Sequence, residues 1–135
     1  MIVDSSALLA IIFSEPERAV FASAIMADPQ PLLSSASYLE VALRLDRLSK
    51  RSPDPRLDQS IAELGINLVP VTVEDGYAAR RAFGRYGRSH PARLNFGDCL
   101  SYALAKTSGE PLLFKGNDFG LTDLRLVDVG LETKQ

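Results

Sequence analysis

Four acidic residues lie beside apolar segments, where an isolated carboxylate is costly: Asp4, Glu40, Asp98 and Asp118. Asp4 follows the apolar start of the chain, Glu40 interrupts an apolar stretch, and Asp98 precedes one. A carboxylate in such surroundings needs a hydrogen-bonding partner or a cation. If the fold brings all four together, a divalent metal ion is the usual way to neutralise them.

Each acid also has an ordinary structural interpretation when it is taken alone. Asp4 and Asp98 could cap helices, and Asp118 lies in a sequence typical of a turn. Glu40 precedes Arg44 by four residues, the favourable order for an ion pair along a helix. Capping and pairing explain the residues separately but give no reason for all four to lie at one end of a sheet.

The composition restricts the chemistry that a metal site could use. The only cysteine is Cys99 and the only histidine is His90, in a loop-like segment, so a cysteine-based zinc site or a disulfide framework is excluded. Oxygen ligands suit hard cations such as Mg²⁺ or Mn²⁺. A net charge of −2 gives no overall attraction to nucleic acid, so an RNA-binding chain would need metals or a local basic patch.

The length of 135 residues predicts one domain, 1–135, with a core of its own. No apolar stretch approaches the about 20 residues that cross a bilayer. The first residues carry an acid at Asp4 and lack the basic start of a signal peptide, so we expect a cytoplasmic protein without membrane contact.

Apolar periodicity and breaker residues predict strands that alternate with helices. The predicted strands cover 2–3, 32–34, 66–73, 112–114 and, at the edge, 124–127. The predicted helices run from Ser5 or Ser6 as cap to residue 13, then over 17–26, 36–50, 56–64 with Gly65 after its end, 74–86 and 97–107. A basic loop is expected at 87–95, a turn at 116–120 and a tail at 131–135.

This alternation predicts an α/β fold in which helices cover both faces of a parallel sheet. Sites in such sheets form beyond the carboxyl ends of the strands. Asp4 and Asp118 follow strands, Asp98 lies in the first turn of a helix, and Glu40 lies about one turn into another. The architecture therefore predicts that the acids converge.

Four segments resemble the signature blocks of PIN-domain ribonucleases, and the closest branch is that of the VapC-type toxins of toxin–antitoxin pairs. The segments are 4–8, 35–40, 94–105 and 113–119, and the resemblance extends from Met1 to about Asp123. It implies a three-layer α/β/α fold and a Mg²⁺- or Mn²⁺-dependent endoribonuclease. It also implies that Asp4, Glu40, Asp98 and Asp118 are catalytic and hold the metal, with supporting polar roles for Ser6 and Asn117. Asp123 is interpreted as a structural cap or an outer member of the cluster.

The expected chemistry is phosphodiester hydrolysis by carboxylate-held ions, which neutralise the phosphate and lower the pKa of a bound water. Asp4, Asp98 and Asp118 would bind metal directly or through water, and Glu40 would orient the attacking water or hold a second ion. The RNA would be positioned by arginines, with Tyr86 available for base stacking; the alternative is an ordinary solvated surface. These arginines are Arg80, Arg81, Arg85, Arg88 and Arg93. Lys115 is a further candidate for a phosphate contact.

The resemblance further implies a VapB-type antitoxin, whose C-terminal segment occupies the active-site groove, and a homodimer. Apolar residues of the first two helices could line that groove or belong to the core: Leu9, Ile12, Phe13, Val20 and Phe21. Three other functions remain as alternatives. An aspartyl-phosphate enzyme needs a second acid where Ser6 stands, and either a DNA-cutting nuclease of related fold or a non-catalytic binding module would keep the architecture.

Overall fold

A four-stranded parallel sheet forms the centre of the molecule. The computed structural model describes residues 1–130, and its strands are β1 (Ile2–Val3), β2 (Leu32–Ser34), β3 (Asn67–Val69) and β4 (Leu112–Leu113), in the order β3-β2-β1-β4. Ile2 lies opposite Leu32 on one side and Leu112 on the other. β1 is therefore central, and its carboxyl end lies between those of β2 and β4.

Within residues 1–130, six α-helices connect and cover these strands. They are α1 (Ser5–Ile12), α2 (Arg18–Ala27), α3 (Ser35–Leu48), α4 (Arg56–Leu64), α5 (Val73–Tyr86) and α6 (Phe96–Ser108). A 3₁₀ helix follows at Asp118–Leu121. No helix within residues 1–130 is long and apolar enough to cross a membrane.

Alternating side chains of each strand divide the core into two parts, because successive residues of a strand point to opposite faces. Val3, Leu33 and Leu113 pack with α1, α2, α3 and α4. Ile2 and Leu112 pack with α5 and α6 on the other face. The predicted three-layer α/β/α architecture with a central parallel sheet is confirmed.

Three predicted strands are too long, and the one over 112–114 is so by only one residue. β3 ends at Val69 because Pro70 has no N–H to donate, and the Thr72 side chain then caps α5 instead of continuing the strand. The predicted edge strand at 124–127 is reduced to one parallel bridge between Leu126 and Leu112. The β-branched residues at the end of the predicted third strand instead form the cap and the start of α5.

The first helix also begins differently from the prediction. The N-cap of α1 is Asp4, not Ser5 or Ser6, and its side chain accepts a hydrogen bond from Ser6 N–H. This confirms the capping interpretation considered for Asp4. The predicted turn at 116–120 contains the start of the 3₁₀ helix. Gly65 ends α4 with a φ of 69°, as expected for a residue without Cβ. The predicted tail at 131–135 lies outside the described residues.

Candidate active site

An acidic pocket of about 510 Å³ lies beyond the carboxyl ends of the strands. Asp4, Glu40 and Asp98 line it, and they come from the end of β1, from α3 and from the start of α6. These elements meet here because all strands of a parallel sheet end at the same edge. The structure therefore brings together three of the four predicted acids along the wall of one pocket.

Asp4 is almost completely buried, with 3% of its surface exposed. Its Oδ2 accepts hydrogen bonds from Ser6 N–H at 3.0 Å and from the Ser6 hydroxyl at 2.6 Å. Its Oδ1 accepts the Ser101 hydroxyl at 2.6 Å. Three hydrogen bonds and the N-terminus of α1 compensate a charge that would otherwise be costly to bury.

Asp98 is held by a capping box, a pair of reciprocal side chain-to-backbone hydrogen bonds at the start of a helix. Its Oδ2 accepts Asn95 N–H at 3.0 Å, and its own N–H donates to Asn95 Oδ1 at 2.9 Å. Burial raises the pKa of the Asp98 carboxyl to about 6, against the lowering effect of the Asn95 bond. The negative charges of Asp4, Asp118 and Glu40 add to this rise, so the four carboxylates are close enough to interact electrostatically.

Glu40 lies directly against the backbone of Gly97. A Cβ at residue 97 would overlap the Glu40 Oε2 atom and lie 3.0 Å from its carboxyl carbon. The glycine therefore leaves the space that this carboxylate fills beside Asp98. Among the ion pairs of residues 1–130 none joins Glu40 to Arg44, so the simple helical pair is not formed.

Asp118 begins the 3₁₀ helix and is exposed, just outside the residues that line the pocket. Its charge still contributes to the raised pKa of Asp98. Asn117 is exposed as well, and its side chain has no hydrogen bond to another of the described residues. The structure thus places Asp118 at the periphery of the acidic group and gives Asn117 no defined contact.

Ser6 connects Asp4 to the chain that follows β4. Its hydroxyl donates to Asp4 Oδ2 and accepts Lys115 N–H at 2.9 Å. The Lys115 ammonium pairs with Glu15 and lies 3.3 Å from Glu17 Oε2, so its charge is already compensated at the pocket wall. Ser6 therefore bonds directly to Asp4, and its supporting role in the site stays a prediction.

Asp123 lies apart from the acidic pocket. Its carboxylate accepts the Tyr102 hydroxyl at 2.6 Å and pairs with Lys106 at 2.7 Å and Arg85 at 3.5 Å. Burial alone would raise the pKa of Asp123, but the bonds from Lys106 and Tyr102 outweigh it and hold the pKa at about 2. Asp123 caps no helix among residues 1–130 and is an ion-pair partner of α5 and α6.

The five candidate arginines are exposed on α5 and in the loop after it: Arg80, Arg81, Arg85, Arg88 and Arg93. Arg85 also lies over the Tyr86 ring, 4.9 Å from its centre. Tyr86 itself is 4% exposed and packs against Tyr102 and His90, so the expectation that it stacks on a base is wrong. The packing of α5 against α6 turns this tyrosine into the core.

The donors of the pocket fit a hard divalent cation. The possible metal ligands of the lining are carboxylate, hydroxyl and amide oxygens, and neither histidine nor cysteine is among them. Arg44 and Lys115 also line the pocket, and the charge of Lys115 is compensated by Glu15 and Glu17. Gly97 provides a space in which the Glu40 carboxylate can lie close to Asp98. Within residues 1–130, no three acidic side chains converge tightly enough to form a complete metal-binding group. A metal ion bound here would need exposed side chains such as Glu40 and Asp118 to rotate towards it.

Sequence reasoning missed two buried serines, one of which bonds to Asp4. Ser101 is 1% exposed and Ser37 is 3% exposed, and their hydroxyl oxygens are 3.3 Å apart. One signal was available: Ser101 follows Asp98 by three residues, which places both on one face of α6. A hydroxyl on that face of an otherwise apolar helix needs a polar partner.

Comparison with known proteins defines the class. The model of the PIN domain matches residues 1–123, which include all four acids. The chain therefore belongs to the PIN-domain family.

Individual relatives narrow this assignment. Ribonuclease VapC of Mycolicibacterium smegmatis is 44% identical over 94% of this chain and 99% of its own length. VapC20 of Mycobacterium tuberculosis, a sarcin–ricin loop cleaving toxin, has a TM-score of 0.72 at 18% identity and covers 93% of this chain and 97% of its own. VapBC2 from Rickettsia felis, bound to a DNA fragment from its promoter, has a TM-score of 0.71 at 12% identity, with 93% and 96% covered. Within the PIN-domain family, the sequence relative places the chain among the VapC ribonucleases, and the solved structures share its fold.

Proposed function

We propose that the acidic pocket holds a divalent cation, Mg²⁺ or Mn²⁺, and that the protein is the RNA-hydrolysing toxin of a toxin–antitoxin pair. The observation that carries this proposal is the convergence of Asp4, Glu40 and Asp98, from three separate parts of the chain, on one pocket. Burial raises the pKa of Asp98, and the charges of Asp4, Asp118 and Glu40 add to that rise. The relative named Ribonuclease VapC, 44% identical, supports the activity. A cytoplasmic location, where cellular RNA is found, is part of the proposal.

When bound, the cation supplies neutralisation of the phosphate and stabilisation of the leaving oxygen. Asp4 offers a carboxylate whose orientation is fixed by three hydrogen bonds. Asp98 uses Oδ2 for the capping box and leaves Oδ1 for the pocket. Both residues therefore present preoriented oxygens as ligands.

Glu40 orients the attacking water by accepting one of its hydrogen bonds. Its carboxylate lies against Gly97, next to Asp98, so it has the position this role requires. Asp118, at the edge of the pocket, completes the negative charge that attracts the cation. No carboxylate acts as a nucleophile in this scheme, because water attacks the phosphate directly.

The test is cleavage of RNA by the purified protein with Mg²⁺, with Mn²⁺ and with a chelator. Wild type is expected to cleave only with a metal, and Asp4→Asn and Asp98→Asn are expected to be inactive. Cleavage that survives both the chelator and these substitutions would refute the proposal. Cleavage of a DNA strand of the same sequence would indicate a DNA-cutting nuclease rather than a ribonuclease. A protein that binds metal normally but leaves the RNA uncleaved would be a non-catalytic binding module.

The exposed arginines of α5 and its following loop are proposed to contact RNA phosphates. Replacing Arg88 and Arg93 together by Gln should weaken RNA binding and reduce the salt slope by about 1.4, the contribution of two phosphates on a single strand. Lys50→Gln with Arg51→Gln, two exposed residues that follow α3, is the matched control with no expected effect. If the salt slope of RNA binding is the same for both double variants, Arg88 and Arg93 belong to an ordinary solvated surface.

An antitoxin protein is the proposed partner that silences the site. Leu9 and Phe13 are half-buried and line the acidic pocket, so a partner segment lying there would meet apolar and charged groups together. Ile12 lines a neighbouring cavity of about 420 Å³ and Val20 a shallower one, whereas Phe21 is a core residue at 2% exposure. Co-expression with the product of the adjacent small gene should yield a complex without RNA cleavage; separate elution of an active nuclease would contradict the pairing.

A homodimer is also proposed, with the apolar cavity between α5 and α6 as its surface. This cavity of about 410 Å³ is lined by Phe83, Phe96 and Leu100, and Phe96 is 83% exposed. Sedimentation should give a dimer for wild type and a monomer for Phe83→Glu. A wild-type protein that sediments as a monomer at tens of micromolar would exclude the dimer.

A further inference from the structure

The Ser101 hydroxyl has no role in the chemistry described above, although it contacts the most buried carboxylate of the pocket. Ser101 lies in α6, is 1% exposed, and is 2.6 Å from Asp4 Oδ1. The other bonds to Asp4 come from Ser6, only two residues away in α1. Ser101 is thus the long-range contact that connects Asp4 to the helix carrying Asp98.

The direction of this hydrogen bond is fixed by chemistry. An ionised carboxylate only accepts, so the Ser101 hydroxyl must donate to Asp4. The Ser101 oxygen is then free to accept from the Ser37 hydroxyl, 3.3 Å away in α3. The result is a buried chain of hydroxyls from α3 through α6 to Asp4, in which each donor has one acceptor.

A count of lone pairs shows what the contact does for Asp4. A carboxylate has about four acceptor positions, two on each oxygen. Oδ2 uses both, for Ser6 N–H and the Ser6 hydroxyl, and Oδ1 uses one for Ser101. One position remains, and it is on Oδ1.

We propose that Ser101 is a positioning residue, which fixes the Asp4 carboxylate so that Oδ1 presents its single remaining lone pair to the cation. This inference rests on the proposed function, because it requires the pocket to bind metal. Without the Ser101 bond, Oδ2 stays tied to Ser6 while Oδ1 loses its orientation. Loss of a residue that orients a metal ligand typically weakens metal affinity by about 10- to 100-fold.

The same helix provides a matched control. The Thr107 hydroxyl donates to Asp75 Oδ1, also at 2.6 Å, and Asp75 is 4% exposed. Both contacts therefore join a hydroxyl of α6 to a buried carboxylate near a helix start. Asp75 belongs to α5 and does not line the acidic pocket, so its hydroxyl partner should affect stability alone.

The experiment is calorimetric titration of the full chain with Mn²⁺ alone, using wild type, Ser101→Ala, Ser37→Ala and Thr107→Ala. Ser101→Ala should raise the Kd for Mn²⁺ by about 10- to 100-fold, and Ser37→Ala should raise it by less, because Ser37 acts only through Ser101. Thr107→Ala should leave the Kd unchanged while lowering the thermal midpoint. RNA cleavage by Ser101→Ala should recover at saturating Mn²⁺, and Ser101→Thr, which keeps the hydroxyl, should restore the affinity.

The outcomes separate this inference from the function on which it rests. A wild-type protein that does not bind Mn²⁺ refutes the metal site itself. Wild-type binding with an equal Kd for Ser101→Ala refutes the positioning role and leaves the metal site intact. If Ser101→Ala does not fold, Ser37→Ala decides, and an unchanged Kd there overturns the hydroxyl chain.

Discussion

Two helices of this protein begin with the same capping box, but the aspartates of the two boxes have different surroundings. In α5, Thr72 N–H donates to Asp75 Oδ2 and Asp75 N–H donates to Thr72 Oγ1, both at 3.0 Å. In α6, Asn95 and Asp98 make the equivalent bonds at 3.0 and 2.9 Å. The two aspartates occupy the same position of a capping box, so the box itself cannot explain their difference.

The difference lies in the second oxygen of each carboxylate. Asp75 Oδ1 accepts the Thr107 hydroxyl, and the bonds from Thr107 and Thr72 outweigh burial and lower the pKa of Asp75. Asp98 Oδ1 has no hydrogen-bond partner among the described residues, and burial with three neighbouring carboxylates raises the pKa of Asp98. A capped carboxylate is structural when the chain satisfies both oxygens, and it is available for chemistry when one is left facing like charges.

Exchanging each aspartate for asparagine should give the largest and most contrasting effects. Asp98→Asn should reduce RNA cleavage by at least about 100-fold, since it removes a proposed metal ligand rather than a residue that orients one. Its free energy of unfolding should not fall, because the substitution removes one of four clustered charges. Cleavage assays in Mg²⁺ and urea unfolding measure the two effects.

Asp75→Asn is the matched change in α5. An asparagine amide has one oxygen where the carboxylate has two, so it loses one of the bonds from Thr107 and from Thr72 N–H. The free energy of unfolding should therefore fall by about 1–3 kcal/mol. Cleavage per folded molecule should stay within about twofold of wild type. If Asp75→Asn inactivates folded protein, or Asp98→Asn remains active, the distinction between the two boxes is wrong.

The glycines beside the two aspartates allow a smaller change. Gly97→Ala puts a methyl group where the Glu40 carboxylate lies, and this flexible side chain must move away. Cleavage should fall by about 10- to 100-fold, the usual cost of disturbing an orienting contact. Stability should be equal or higher, because alanine favours a helix over glycine by up to about 1 kcal/mol.

Gly76→Ala is the control in α5, where a Cβ meets nothing within 4 Å. It should give the same gain in stability with unchanged cleavage. Equal cleavage by both alanine variants would show that the position of Glu40 against Gly97 is irrelevant to the reaction.

The placement of the acids could be predicted from sequence because it follows from topology. Strand ends in a parallel sheet share one edge, so locating Asp4 and Asp98 required only the order of strands and helices. The three-layer fold followed from the same alternation. The length of β3 could not be predicted, because the side chain of Thr72 could extend a strand or cap a helix, and tertiary packing decides between them.

Contacts that depend on the rotation of a helix against the sheet could not be predicted from the sequence. Ser101 reaches Asp4, and Tyr86 turns into the core, because α6 and α5 pack at a particular angle. Periodicity identifies the face of a helix but not which side chain meets which partner on it. The same limit explains Asp123, whose partners on α5 and α6 are distant in sequence.

Asp123 is a third carboxylate, and cationic side chains of the same chain neutralise it. Its substitution should have the smallest effect of the changes considered. Asp123→Asn keeps an acceptor for the Tyr102 hydroxyl but loses the pairs with Lys106 and Arg85. At pH 7 the free energy of unfolding should fall by about 1 kcal/mol, after the screening expected for a carboxylate that is 33% exposed. RNA cleavage should be unchanged, and a loss of about 10-fold or more would instead make Asp123 a member of the acidic group.

The dependence of this effect on pH has a definite sign. The pKa of Asp123 is lowered from an ordinary 3.8 to about 2, so the ion pair contributes its full stability above about pH 4. As the pH falls from 4 through 2 the carboxylate becomes protonated and the contribution disappears. Urea midpoints of wild type and Asp123→Asn should therefore differ at pH 7 and converge near pH 2. A difference that persists unchanged at pH 2 would mean that packing around Tyr102, and not charge, is what the asparagine disturbs.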